Sequence, residues 1–119
     1  MPTILLVEDD PELASVLQHI LTACSYEVHL ARDGAKALKA LRSGLRASLV
    51  VLDLVMPNLD GAGVLDALHA EPELASIPTL VITGDRRADP SALRASACFQ
   101  KPFEGAAFLA EVARLLAHR

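Results

Sequence analysis

Aromatic side chains are scarce in this chain: three phenylalanines, one tyrosine and no tryptophan among 119 residues. That scarcity argues against a surface on which nucleic-acid bases stack. Positive charge is also in deficit, with 11 Lys and Arg against 15 Asp and Glu and a formal net charge of −4, so no direct nucleic-acid binding is expected. Only two cysteines occur, Cys24 and Cys98, too few for a disulfide framework, and free thiols are the expectation. No apolar run approaches the roughly 20 residues that span a bilayer. Met1-Pro2-Thr3 leads directly into a strand-like run without a basic n-region, so no signal peptide and no membrane partner are expected, and the location is read as cytoplasmic. What is abundant is apolar aliphatic content: 52% hydrophobic residues and a mean hydropathy of +0.35, enough to fill the core of one domain over residues 1–119.

The chain is organised around Leu49 to Gly61, LVVLDLVMPNLDG. A short apolar run, Leu49 to Leu52, ends on the carboxylate of Asp53, and Met56-Pro57-Asn58 with Asp60-Gly61 then turn the chain. This is the pattern of a strand buried on both faces. Ile4 to Val7 is a second such run, closed by Glu8-Asp9-Asp10. Asp10-Pro11 then reads as a helix cap with proline in the first helical position. Leu13, Val16, Leu17, Ile20 and Leu21 are expected on one helix face. Glu27 to Leu30 reads as a strand, and Asp33 caps a helix with Ala35, Leu38 and Leu41 inward and Gly44 at its stop. Val64, Leu65 and Leu68 mark a third helix, Thr79 to Thr83 a fourth strand, and Asp89-Pro90 opens a short helix around Ser91 to Ala95. Ala97 to Gln100 is a weak fifth strand, and Phe108, Leu109, Val112, Leu115 and Leu116 line a last helix. Five strands alternating with five helices over short loops predict an α/β fold, a doubly wound parallel sheet with helices on two faces.

In such a sheet all strands open at one edge. The residues that finish them there are Glu8 and Asp9, Asp53, Thr83 and Lys101. Singly each has an ordinary explanation: a helix cap, a β-branched strand residue, a solvated end. Together they place three carboxylates, a hydroxyl and an ammonium in one place. Crowded carboxylates repel one another unless a cation sits among them, and hard oxygen ligands suit Mg2+. Thr83 and Lys101 are donors for phosphoryl oxygens, and Asp53 has the chemistry of a nucleophile.

With these residues in view the sequence resembles the receiver domains of two-component response regulators over essentially its whole length. Val7-Glu8-Asp9-Asp10 resembles the acidic pair, Asp53 with Met56-Pro57 and Asp60-Gly61 the phosphoacceptor loop, and Thr83 and Lys101-Pro102-Phe103 the two remaining signatures. The resemblance implies a flavodoxin-like strand order 2-1-3-4-5 and Asp53 as phosphoacceptor. It implies Mg2+ held by Asp9, Asp53 and the backbone carbonyl of Val55, with Glu8 reaching it through water, and a cis bond between Lys101 and Pro102. The implied partners are a histidine kinase or histidine phosphotransfer protein as donor and an unknown downstream protein as target, and a weak homodimer stays open. The protein would then be a switch that catalyses only its own phosphotransfer and slow dephosphorylation.

Several positions depart from the pattern. Cys98 stands where these domains usually carry an aromatic, and it reads as a buried small hydrophobe rather than a redox sensor. Thr83 to Lys101 spans 101 − 83 = 18 positions, about one helical turn fewer than usual, a deficit that falls in the loop after the fourth strand with Arg86-Arg87, in the fourth helix, or in both. Val55 and Asp85 occupy positions that tune phosphoryl lifetime. Val55 also lacks the second aspartate that a haloacid-dehalogenase-type phosphatase needs, and the acidic first loop would repel the phosphate of a flavodoxin-like nucleotide binder. The alternative that the residues leave open is a degenerate receiver that binds partners without phosphorylation.

Overall fold

The computed structural model describes residues 1–54, 60–84, 89–101 and 104–117. Strands and helices alternate through them: β1 (Thr3–Val7), α1 (Pro11–Ala23), β2 (Glu27–Ala31), α2 (Gly34–Arg42), β3 (Leu49–Asp53), α3 (Gly61–Ala70), β4 (Thr79–Thr83), α4 (Pro90–Leu93), β5 (Ala97–Gln100) and α5 (Gly105–Ala117). The strands form one sheet in the order β2-β1-β3-β4-β5, with every neighbouring pair parallel. This is the doubly wound, flavodoxin-like arrangement expected.

The continuous apolar runs belong to the three central strands, which are covered on both faces and therefore need no polar alternation. Successive side chains still point to opposite sides. Ile4, Leu6, Val51 and Ile82 pack with Leu17 of α1 and Phe108 of α5. Leu5, Val7, Val50, Leu52 and Val81 pack with Leu38 of α2 and Leu65 of α3 on the other side. Each of four helices is entered through an aspartate whose carboxylate accepts a first-turn N–H: Asp10 from Glu12 at 3.0 Å, Asp33 from Lys36 at 2.8 Å, Asp60 from Gly63 at 2.9 Å and Asp89 from Ser91 at 3.0 Å. Such a cap contributes about 1 kcal/mol.

Three details differ from the sequence reading. Val16 is 57% exposed instead of facing the core. The buried set on α1 is Ala14, Leu17 and Leu21, and at 100° per residue Val16 falls far outside their arc. On α2 Ala35 is exposed and Ala37 is buried beside Leu38 and Leu41, for the same rotational reason. The fourth helix ends at Leu93 rather than Ala95, because Arg94 takes a left-handed conformation, φ 57°, that turns the chain at once into β5. Among the described residues no helix is long and apolar enough to cross a membrane.

Candidate functional site

The ladder between β1 and β2 continues one residue past β1, since the Glu8 N–H donates to the Ala31 carbonyl at 3.0 Å. This extension carries Glu8 inward, and it is fully buried. Its Oε2 accepts the Asp10 N–H at 3.1 Å, while its Oε1 is buried with no hydrogen-bond donor among the described residues. Asp9, half-buried, follows at the mouth, where its carbonyl accepts from the Arg32 guanidinium at 3.4 Å. Asp53 is the last residue of β3 and only 7% exposed. Thr83 is the last residue of β4, buried, and one residue beyond Ile82, the β4 partner of Asp53.

Lys101 stands just past β5, held by its N–H on the Thr83 carbonyl at 2.8 Å. Its ammonium turns back across the sheet edge to Asp53 Oδ2 at 2.8 Å and lies 3.7 Å from Glu8 Oε1. One oxygen from each of Glu8, Asp9 and Asp53 lies within 4.8 Å of the other two. Of the expected site residues, Glu8, Asp9, Asp53 and Lys101 are therefore brought into direct proximity, and Thr83 ends the adjoining strand at the same edge. Val55, Asp85, Arg86, Arg87, Pro102 and Phe103 lie outside the described residues, and with them the Val55 carbonyl and the Lys101–Pro102 bond.

Three carboxylates against one ammonium leave the cluster net negative. Burial pushes the Glu8 carboxyl up to about 7, and the neighbouring Asp53 charge adds to the rise, against the opposing effects of the Asp10 N–H and Lys101. For Lys101 burial alone would lower the pKa. The hydrogen bond that Lys101 donates to Asp53 and the charges of Asp53, Glu8 and Asp10 outweigh burial and raise it. A hard divalent cation fits this donor set, because the oxygens converge, all three donors are carboxylates, and Glu8 Oε1 is buried without a hydrogen-bond partner. Cys98 is half-buried, and burial, with the Asp89 charge second, pushes its thiol up, as suits an unreactive filler.

The sequence reading missed what Gly61 does. It treated Asp60-Gly61 as a turn, but the first residue of α3 abuts the end of β3. A Cβ on Gly61 would overlap the Asp53 carbonyl oxygen and stand 2.7 Å from Leu54 Cα, while the Gly61 N–H donates to the Leu54 carbonyl at 2.9 Å. The approach is tertiary, so no local signal could have separated it from an ordinary turn glycine.

The family model for the response regulator receiver domain matches residues 4–113. The transcriptional regulatory protein PrrA of Mycobacterium tuberculosis is 35% identical over 122 residues, 99% of this chain and 51% of PrrA. Among solved structures, the signal receiver domain of a signal transduction histidine kinase from Syntrophus aciditrophicus superposes with a TM-score of 0.89 at 31% identity, covering 99% of this chain and 92% of that one. The response regulator protein TrrA of Thermotoga maritima, solved in complex with Mg(2+)-BeF, gives 0.86 at 29% identity, with 97% and 99% covered. The chain spans 34%, 33% and 51% of three of the curated relatives it matches.

Proposed function

Because this chain belongs to the response regulator receiver domain family, we propose that it is a phosphorylation-dependent signalling switch with Asp53 as its phosphoacceptor. The observation that carries the assignment is the convergence of Glu8, Asp9, Asp53 and Lys101 at the carboxyl edge of the sheet, with Lys101 Nζ 2.8 Å from Asp53. The donor is the phosphohistidine of a sensor kinase or phosphotransfer protein. An Asp53 oxygen forms the new O–P bond as the P–N bond to the donor imidazole breaks, and the imidazole leaves as a neutral ring after taking a proton. Lys101 orients the Asp53 carboxylate through Oδ2 and remains within reach of the oxygens of the transferred group. The Thr83 hydroxyl, at the end of the next strand, donates to one of those oxygens.

Mg2+ is the cofactor this donor set suits. Held by Asp9 and Asp53, with Glu8 beside them and the Val55 carbonyl as the remaining expected ligand, it would supply positive charge opposite the group in transfer. Residues 1–119 act as one receiver domain in the cytoplasm, without turnover of a separate substrate. Its downstream partner is a protein that distinguishes the phosphorylated form, because new hydrogen bonds to the phosphoryl group bias the loops around the edge.

Incubation with acetyl phosphate and Mg2+, followed by intact mass, tests the assignment. One acid-labile phosphoryl group is expected on the wild type and none on Asp53→Asn, whose amide is a poor nucleophile. Labelling of that variant at the wild-type rate rejects Asp53.

A further inference from the structure

The charge of this acidic protein is unevenly laid out. Residues 34–52 contain no Asp or Glu, yet Lys36, Lys39, Arg42 and Arg46 lie there, and Arg32 immediately precedes them. These are five of the chain's 11 cations. The one acid in their midst, Asp33, is buried as the cap of α2. All five cations are exposed. Outside this stretch Arg114 pairs with Glu111, and within it Arg42 is held by Glu71 at 2.9 Å. No ion pair reaches Lys36, Lys39 or Arg46 among the described residues. A merely solvated face ordinarily intersperses both signs, whereas a single-sign stripe focuses a field on a partner.

The ridge has direction. Its upper end, Arg32, follows β2 at the site edge, and its lower end, Arg46, precedes β3 at the opposite edge. There it meets a cavity of about 400 Å³ between the α2–β3 and α3–β4 connections, lined by Leu41, Leu45, Leu74 and Ile77 with Arg46 and Glu73. A charged ridge that ends in a cavity with polar rims and a small aliphatic floor suits a chain carrying both acidic and apolar groups. A nucleic acid would use the ridge but would have nothing to place among the leucines.

We propose that α2 and this cavity form a docking surface for an acidic protein segment, which seats an apolar side chain among Leu41, Leu45, Leu74 and Ile77. Its carboxylates run up α2 past Lys39 and Lys36 towards Arg32. Glu73 fixes the orientation, since its carboxylate on the far wall repels acids and leaves only the α2 side for them. The surface includes none of Glu8, Asp9, Asp53, Thr83 or Lys101, so this binding does not require phosphorylation of Asp53.

The probe is a synthetic amidated peptide of about sixteen residues, about 24 Å as a helix, with glutamates along one face and two leucines at one end. It is titrated into the isotopically labelled protein and followed by amide chemical shifts. Shifts confined to residues 32–46 and 73–77 are expected, weakened about tenfold in Lys36→Gln with Lys39→Gln, and by more in the double Glu variant. Glu73→Gln should bind more tightly, Asp53→Asn should bind as the wild type does, and a leucine-free peptide should bind more weakly. Absence of shifts at roughly millimolar peptide overturns the proposal. So does insensitivity to the lysine variants, or equal shifts with a duplex DNA oligonucleotide, which would make α2 a general polyanion surface. Because Asp53→Asn is silent here and decisive in the phosphorylation assay, the two readings fail separately.

Discussion

At the scale of single residues, Glu8 is the most perturbed group in the described structure. It is fully buried, one of its oxygens has no hydrogen-bond donor, and burial pushes its carboxyl to about 7 from an ordinary value of 4.5. The folded protein therefore holds the Glu8 proton more tightly than the unfolded chain does. The stability this confers on the metal-free protein is fully present below about pH 4.5 and is lost as pH rises through about 7. Glu8→Gln should accordingly be more stable than wild type at pH 8 without metal, with the gain shrinking towards pH 5, as urea midpoints at the two pH values would reveal. Cation binding runs the other way, because it requires the ionised cluster. Mg2+ affinity should rise between pH 6 and 8 in the wild type, and a flat isothermal titration series over that range would remove Glu8 from the site. The position of Glu8 was legible in the sequence, since a parallel α/β pattern sends every strand-end residue to one edge. Its complete burial and the 3.7 Å approach of Lys101 were not, because they depend on β2 extending the ladder to Glu8 and on a lysine 93 positions away (101 − 8).

At the scale of elements, caps and apolar periods were the readable signals, and the departures occur where rotation or distance decides. Asp10, Asp33, Asp60 and Asp89 each cap the helix they announce. Val16 was placed inward because it falls among other apolar residues, yet α1 buries only the narrow arc of Ala14, Leu17 and Leu21. The α3 start shows the limit most clearly. Its turn sequence announces a helix but not how closely the helix backbone approaches β3. With Asp53 carbonyl oxygen and Leu54 Cα in the way, Gly61→Ala must displace either the helix or the strand end that carries the phosphoacceptor. Overpacking of this kind costs roughly 2–3 kcal/mol. Urea unfolding should show that loss, and the Mg2+ titration of the variant should weaken together with it. A variant as stable as wild type, with unchanged Mg2+ binding, would mean that the edge is more plastic than this packing implies.

At the scale of the whole molecule, sheet, helices and site are coupled through charge. Both cores lie between the sheet and its helices, whereas Glu8, Asp9 and Asp53 collect at one rim, where their repulsion opposes the folded state. Lys101 offsets part of that repulsion and a divalent cation would offset the rest. Any ligand that binds only the folded form stabilises it by mass action, and at ten times its Kd the gain is about 1.4 kcal/mol. For a domain of 119 residues that corresponds to a Tm rise of about 5 °C. The rise should saturate with Mg2+ and reverse on addition of a chelator. Asp9→Ala separates this from a general salt effect. The variant keeps the buried core intact and loses one repelling carboxylate, so its metal-free Tm should equal or exceed that of the wild type, while its response to Mg2+ falls to that given by sodium chloride of equal ionic strength. Calorimetric scans of both proteins with Mg2+, with sodium chloride and with chelator check the prediction. An undiminished Mg2+ response in Asp9→Ala would place the cation elsewhere and leave the repulsion at the rim to Lys101 alone.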